Sequence, residues 1–291
     1  MSSEKKECFN IVSWNIACSK YDEIHVPLFD RKHIIIETLR NVISDIDVLV
    51  LLEAGRKSKG MSFTVFAAEI EEMVGLTYMG ICFPESDPNP LGKAYFINRK
   101  TVTLGSISSY SIYQGERNGN IIDYNALSLE IIPVNEKSNP ILLRRRFIDF
   151  VHLPVDLKGR KMATKLLAKN SHYTSCYMGD WNTFPDWGGP EMLSEMKKHH
   201  WIALTPQDEK TFQCFDHDIV EIPIENIPLL HPDSKIVDNK PTPDGKLRVK
   251  CCGCLDQVFV PNLSPYLHDN VSVFPINPGS DHAPILARLY F

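Results

Sequence analysis

No run of apolar residues in this 291-residue chain approaches the length of a membrane span, so insertion into a bilayer as a helix is not expected. Basic residues are not in excess either: Lys and Arg number 31 against 36 Asp and Glu, for a formal charge of −5. That balance excludes a globally basic nucleic-acid coat. It leaves room for a local basic groove, which is all that an enzyme acting on phosphates requires. The opening residues, "MSSEKKECFNIVSWN", lack the apolar core of a secretory leader, so an intracellular protein is expected, in cytoplasm or nucleus. Closely spaced cysteine pairs are scarce. Of eight cysteines, Cys8, Cys18, Cys82, Cys176 and Cys214 stand singly in or beside apolar runs, as reduced core thiols do. The cluster Cys251, Cys252 and Cys254 has no second pair elsewhere to complete a zinc site and reads as strand residues. There is no internal repeat, low-complexity tract or linker, which favours one domain over residues 1–291. Within it, His217 to Lys250 is rich in Pro and Asp and is expected as a long surface excursion.

What is present is apolar material for a sizeable core, 43% of residues, arranged in two alternating patterns. Short β-branched and aromatic runs predict strands: "FNIVSWNI", "IDVLVLLEA", "KAYFINR", "YNALSLEII", "RRRFIDFVHLP", "SCYMGDWN", "CLDQVFV" and "APILARLYF". Between them, "DRKHIIIETLRNVISDI" places Ile34, Ile35, Thr38, Leu39, Val42 and Ile43 on one helical face. "SFTVFAAEIEEMVGL" predicts a helix capped by Ser62 and ending near Gly75, and "LKGRKMATKLLAKNS" and "PEMLSEMKKHH" predict two more. Strands and helices interleave throughout, so the class is α/β.

The strand ends carry polar residues of one kind. "VSWN" ends at Asn15, "VLVLLE" at Glu53, "FIDFVH" at His152 and "YMGDWN" at Asp180 and Asn182. "CLDQVF" carries Asp256 near its start, and "GSDHAPI" sets Asp281 and His282 just before the last strand. Any one of these is an ordinary turn or cap residue. Six sites of side chains that bind hard cations and move protons are not explained by turns alone.

In this order, "SWNI", "LLEAG", "HLP", "GDWNTFPD", "LDQVF" and "SDHAPI" resemble the motifs of the exonuclease–endonuclease–phosphatase superfamily, which has the deoxyribonuclease-I-like fold. The resemblance spans Asn15 to His282. It implies a four-layer α/β sandwich, two packed mixed β-sheets flanked by helices. Three departures stand out: Ala17 where many members carry Asp, Leu52 where Gln is usual before the glutamate, and Gln257 where Tyr, His or Arg is common.

The resemblance further implies a hydrolase of phosphate esters that uses Mg²⁺ or Mn²⁺, with a phosphate-ester substrate such as DNA, RNA or a nucleotide. Glu53 would ligate the metal, with Asn15 as a neutral oxygen donor and Asp281 at a second ion or through water. His282 would be general base or electrostatic partner of the phosphate, held by Asp256. Asp180 would orient or deprotonate the attacking water, and Asn182 and His152 would donate to non-bridging oxygens. Arg160, Lys158 and Lys161, after "HLP", are candidates for further phosphate contacts, weighed against a solvated face. Trp181 and Trp187 could stack on a base or sugar, although large aromatics beside a buried strand are more often core. Arg144 to Arg146 could face a polyanion or guard an edge strand. A phosphomonoesterase or a lipid-directed phosphodiesterase, and more remotely a non-catalytic binding module, are the alternatives, because one fold hosts many substrates.

Overall fold

The computed structural model describes residues 8–17, 28–41, 43, 45–55, 57–58, 61–84, 92–117, 119–134, 146–170, 174–183, 189–213, 219–229, 233–262, 270–276 and 280–290. Trp187, Arg144, Arg145, Cys18, Cys214 and His217 lie outside the described residues.

Two six-stranded sheets form the centre. In chain order the strands are β1 (Cys8–Asn15), β2 (Val48–Ala54), β3 (Thr77–Cys82), β4 (Gly92–Ile97), β5 (Val102–Arg117), β6 (Asn120–Pro133), β7 (Phe147–His152), β8 (Thr174–Asp180), β9 (Trp201–Ala203), β10 (Asp256–Pro261), β11 (Asn270–Val273) and β12 (Ile285–Tyr290). The first sheet runs β11-β12-β1-β2-β4-β3 and the second β9-β10-β8-β7-β6-β5. Each is mixed: β1 and β2 are parallel, as are β7 and β8, and their other neighbours are antiparallel.

Period-two alternation explains the stacking. In β1, Phe9 and Ile11 point to the second sheet while Val12 and Trp14 point outward to helices. In β2, Val48, Val50 and Leu52 face inward and Leu49 and Leu51 outward. The second sheet answers with Ile148 and Phe150 from β7, Cys176 and Met178 from β8, and Val258 and Val260 from β10. Helices α1 (Leu28–Asn41) and α2 (Phe63–Val74) cover the first sheet, and α3 (Leu157–Lys169) and α4 (Gly189–Lys198) the second. The result is the four-layer sandwich expected. Helix α2 has the Ser62 cap, whose hydroxyl accepts from Thr64 N, and ends at left-handed Gly75. Cap Asp156 of α3, which accepts from Gly159 N at 2.7 Å, was not anticipated.

The expected excursion is not a featureless loop. Val220–Pro223, Lys246–Lys250 and Lys235–Asp238 pair into a three-stranded antiparallel sheet. Ile222 and Val249 bury against Phe212, Cys251 and Leu255, which supplies the core that a bare loop would lack. Arg146 is buried beside Phe9, its guanidinium 5.8 Å from the ring centroid, so it faces no polyanion.

The glycine of "YMGDWN" has a steric reason. Gly179 has φ +139°, and a Cβ there would lie 2.1 Å from the carbonyl oxygen of Val151 on the adjacent parallel strand. Gly179→Ala is expected to force β7 and β8 apart and to cost about 3 kcal/mol or more. Urea unfolding checks this, and an unchanged midpoint would contradict it.

Candidate active site

The site forms at one end of the sandwich, where the inward-facing register of several strands runs on past the apolar core. Asn15 follows Phe9 and Ile11 on one face of β1. His152 follows Ile148 and Phe150, Asp180 follows Cys176 and Met178, and Asp256 precedes Val258 and Val260. Glu53 has the wrong parity, because Leu52 already faces inward. A register shift between Leu51 and Ala54 and a positive φ of 55° at Glu53 turn it. Ala17 and Asn182 also have positive φ, 44° and 49°. Three non-glycine residues in a sparsely allowed region thus cluster at this end, each at a cost of roughly 1–3 kcal/mol.

Residues of the first sheet meet residues of the second in facing pairs. His282 Nδ1 lies 2.8 Å from Asp256 Oδ2. Asn15 Nδ2 donates to Asp180 Oδ2 at 3.0 Å. Glu53 Oε1 lies 3.5 Å from His152 Nε2. Cross-links close the group: Asn15 Nδ2 also reaches Glu53 Oε1 at 3.0 Å, and Asp180 Oδ2 lies 3.6 Å from His152 Nε2 and 3.7 Å from His282 Nε2. Asp180, Asp256, Asp281 and His282 are all buried.

Electrostatics separates the two imidazoles. Burial lowers His152 to a pKa of about 4; Asp180 opposes this, while Lys93 and His282 add to it. Burial works against charge on His282 too, but Asp256, Asp180 and Asp281 outweigh it and push the pKa up to about 10. Burial raises Asp180 and Asp256, and His282 offsets part of that. His152 is therefore a neutral imidazole and His282 an imidazolium.

Backbone supports fix these side chains. Asn182 N donates to Asp180 Oδ1 at 2.9 Å, and Asn182 Nδ2 donates to Leu153 O at 2.8 Å, tying the "GDWN" turn to the "HLP" turn. Thr211 Oγ1 accepts from Leu255 N and Asp256 N, and Phe212 packs against the His282 ring with centroids 5.0 Å apart. Ser280 Oγ donates to Asn15 O at 2.6 Å, and Trp14 Nε1 to His282 O at 2.8 Å. Arg31 of α1 donates to Ile16 O and Ala17 O, holding the turn after Asn15. Arg31 and Lys93 carry no mark in the sequence of their place here, and Ser280 is marked only as the first residue of "SDHAPI". A basic residue in a helix or strand has no local mark of burial.

Several expected roles change. Asn15 Nδ2 donates to two carboxylates, and its oxygen, the atom expected as a metal ligand, accepts from Ala17 N at 2.9 Å. Asp281 lies 4.0 Å from His282 Nε2 and adds charge there; it is not in the Glu53 cluster. Arg160 is 1% exposed and donates to Asn182 O at 2.6 Å, so it buttresses the turn and makes no surface for substrate. Trp181 is fully buried, its ring 4.5 Å from Phe259 and 6.2 Å from Tyr177, with no face toward a ligand. Lys158 is exposed in the first turn of α3, and Lys161 pairs with Glu191.

One oxygen of Glu53, one of Asp180 and a nitrogen of His152 lie within 4.8 Å of one another. Two carboxylates around one small volume make a donor set that fits a hard divalent cation. An open groove of about 490 Å³ between α3 and α4, lined by Lys161, Lys165, Glu191 and Lys198, holds none of these groups.

No family model matches the chain, and no curated protein matches it in sequence. Solved structures do match it end to end. An endonuclease/exonuclease/phosphatase family protein from Bacteroides thetaiotaomicron superposes with a TM-score of 0.61 at 13% identity, over 99% of each chain. D. rerio TDP2, complexed with a single-strand DNA product, gives 0.57 at 14%, over 98% of this chain and 100% of that one. The human Nocturnin catalytic domain with a bound sulfate anion gives 0.57 at 15%, over 99% and 96%. Topology and length agree although few residues are identical: this chain has the fold of the endonuclease/exonuclease/phosphatase superfamily.

Proposed function

We propose that the protein is a divalent-metal-dependent hydrolase of phosphate esters, a phosphodiesterase acting on nucleic acid or nucleotides. The observation that carries this reading is the Asp256–His282 pair at 2.8 Å with Asp180 within 3.7 Å of the same imidazole, beside the Glu53–His152–Asp180 cluster. Glu53 and Asp180 would hold Mg²⁺ or Mn²⁺, which when bound neutralises charge developing on the phosphate. The chain's own groups do the rest. Asp256 fixes His282 through Nδ1 and leaves Nε2 as the positive partner of the phosphate. Asp180 orients or deprotonates the attacking water, and its place is set by the Asn182 backbone and the Asn15 amide. His152 and the remaining amide hydrogen of Asn182 donate to non-bridging oxygens. The single-strand DNA product bound to the D. rerio TDP2 structure supports a nucleic-acid substrate.

The test is parallel hydrolysis of single- and double-stranded DNA, RNA, inositol polyphosphates and sphingomyelin, with magnesium, with manganese and with chelator. Metal-dependent cleavage of a nucleic acid is the expected result, with affinity falling steeply as salt is added. Cleavage of the inositol or lipid substrate alone would replace the substrate assignment. Hydrolysis of none would remove the enzymatic reading. Glu53→Ala is expected to raise the magnesium concentration for half-maximal rate by about 10-fold or more. An unchanged metal titration would take Glu53 out of the site.

A further inference from the structure

The facing rows do not end at Glu53 and His152. Across the first sheet the strands β12, β1, β2 and β4 are neighbours, and across the second β10, β8, β7 and β6. Strand β4 runs antiparallel to β2 and β6 antiparallel to β7, so the starts of β4 and β6 lie at the site end. Tyr95 and Ile97 face inward from β4, which puts Lys93 on the same face; Leu127 and Leu129 face inward from β6, which does the same for Asn125. The two meet. Lys93 Nζ donates to both Asn125 O and Asn125 Oδ1 at 2.7 Å. After His282–Asp256, Asn15–Asp180 and Glu53–His152, Lys93–Asn125 is a fourth rung of the same ladder, one strand spacing of about 5 Å beyond Glu53.

This rung is an expensive way to join two sheets. Lys93 is 3% exposed, and lysine is seldom buried so deeply unless paired with an acid. Among the described residues its hydrogen-bond partners are two neutral oxygens of one residue, while an ammonium carries three donors. Burial brings its pKa down to about 8, with Cys82 and Asp123 opposing the fall. Two apolar residues would tie β4 to β6 without burying a charge. The cation makes chemical sense if an anion completes it.

Given the phosphoesterase reading above, we propose that Lys93 is a substrate-binding residue that receives a second phosphate, the neighbour of the one being cleaved, so that the site selects substrates with adjacent phosphate groups. The reacting phosphate lies between His282 and Glu53, and the next anionic group along the substrate falls over the fourth rung. Asn125 is its positioning partner: Nδ2 donates to Ser109 Oγ at 2.7 Å, which holds the amide with its oxygen toward the ammonium. A nucleic-acid strand and a nucleoside diphosphate each carry an anionic group next to the reacting phosphate; an isolated diester does not.

Binding of inorganic pyrophosphate and of inorganic phosphate to the magnesium-loaded protein, measured by titration calorimetry, tests this without relying on turnover. Lys93→Gln keeps a hydrogen-bond donor for Asn125 and removes the charge. It is expected to weaken pyrophosphate binding by about 10-fold or more and phosphate binding by less than about 2-fold. Lys93→Met, apolar and of similar length, is expected to give the same split and covers a Gln variant that does not fold. Equal losses for both ligands would make Lys93 a structural strut, and no loss, or no pyrophosphate binding by the native protein, would equally overturn the proposal. A native protein that shows the split yet hydrolyses no phosphate ester would overturn the phosphoesterase reading and leave the anion subsite standing.

Discussion

His282→Ala is expected to lower the turnover of an activated phosphodiester by about 10²- to 10⁴-fold. The imidazole faces three carboxylates, Asp256, Asp180 and Asp281, and these hold it positively charged where the phosphate must lie. Its removal leaves Asp256 buried without that partner, which by itself destabilises the fold. The double variant Asp256→Asn/His282→Ala separates the two consequences. It is expected to recover stability relative to His282→Ala and to recover no activity. Because Asp256 acts through His282, Asp256→Asn alone should slow turnover, and the double variant should be no slower than His282→Ala. Additive losses in that cycle would show that Asp256 touches the reaction independently.

Asp180→Asn is expected to cause a loss of similar size, about 10²- to 10⁴-fold in kcat, with little change in stability. Asn15, His152 and His282 gather around Asp180 Oδ2 and the Asn182 backbone donates to its Oδ1, so exchanging Oδ2 for an amide nitrogen removes the acceptor that three groups share. Burial raises the pKa of Asp180 in the folded chain. A carboxyl raised above its unfolded value costs stability once the pH passes that unfolded value, and the cost is present at neutral pH. The amide removes this cost and loses a hydrogen bond, so the melting temperature is expected to move by no more than about 5 °C. Near-normal turnover would refute the site. A collapse in melting temperature would show that the carboxylate is structural.

Much of the fold is legible because burial leaves a periodic trace. The runs around Ile11, Val50, Phe150, Met178 and Val258 alternate or continue as buried strands must, and the helices at Ile35 and Phe66 repeat every three to four residues. Strands without that trace were not foreseen. β5, "VTLGSISSYSIYQGER", is a sheet edge whose serines fall on both faces and whose register shifts break the alternation, and β9 has three residues. The small sheet at 220–250 hides behind prolines because its core is borrowed from Phe212, Cys251 and Leu255, outside the segment.

Residue order alone sets which strand ends carry acids, imidazoles and amides, because a residue two beyond an inward apolar position shares its face unless a bulge intervenes. It also determined that Gly179 precedes Asp180, although not that the Val151 carbonyl is what excludes a side chain there. The packing of the two sheets sets who faces whom. Pairs such as His282–Asp256 and Lys93–Asn125 lie 26 and 32 residues apart and join different sheets, so no local pattern encodes them. It also decided that Arg160 and Trp181 turn inward and that Glu53 needs a bulge to reach the site. Charge and aromaticity are properties of a residue; burial and pairing belong to the packed sheets, and the site is made where two sheets end together.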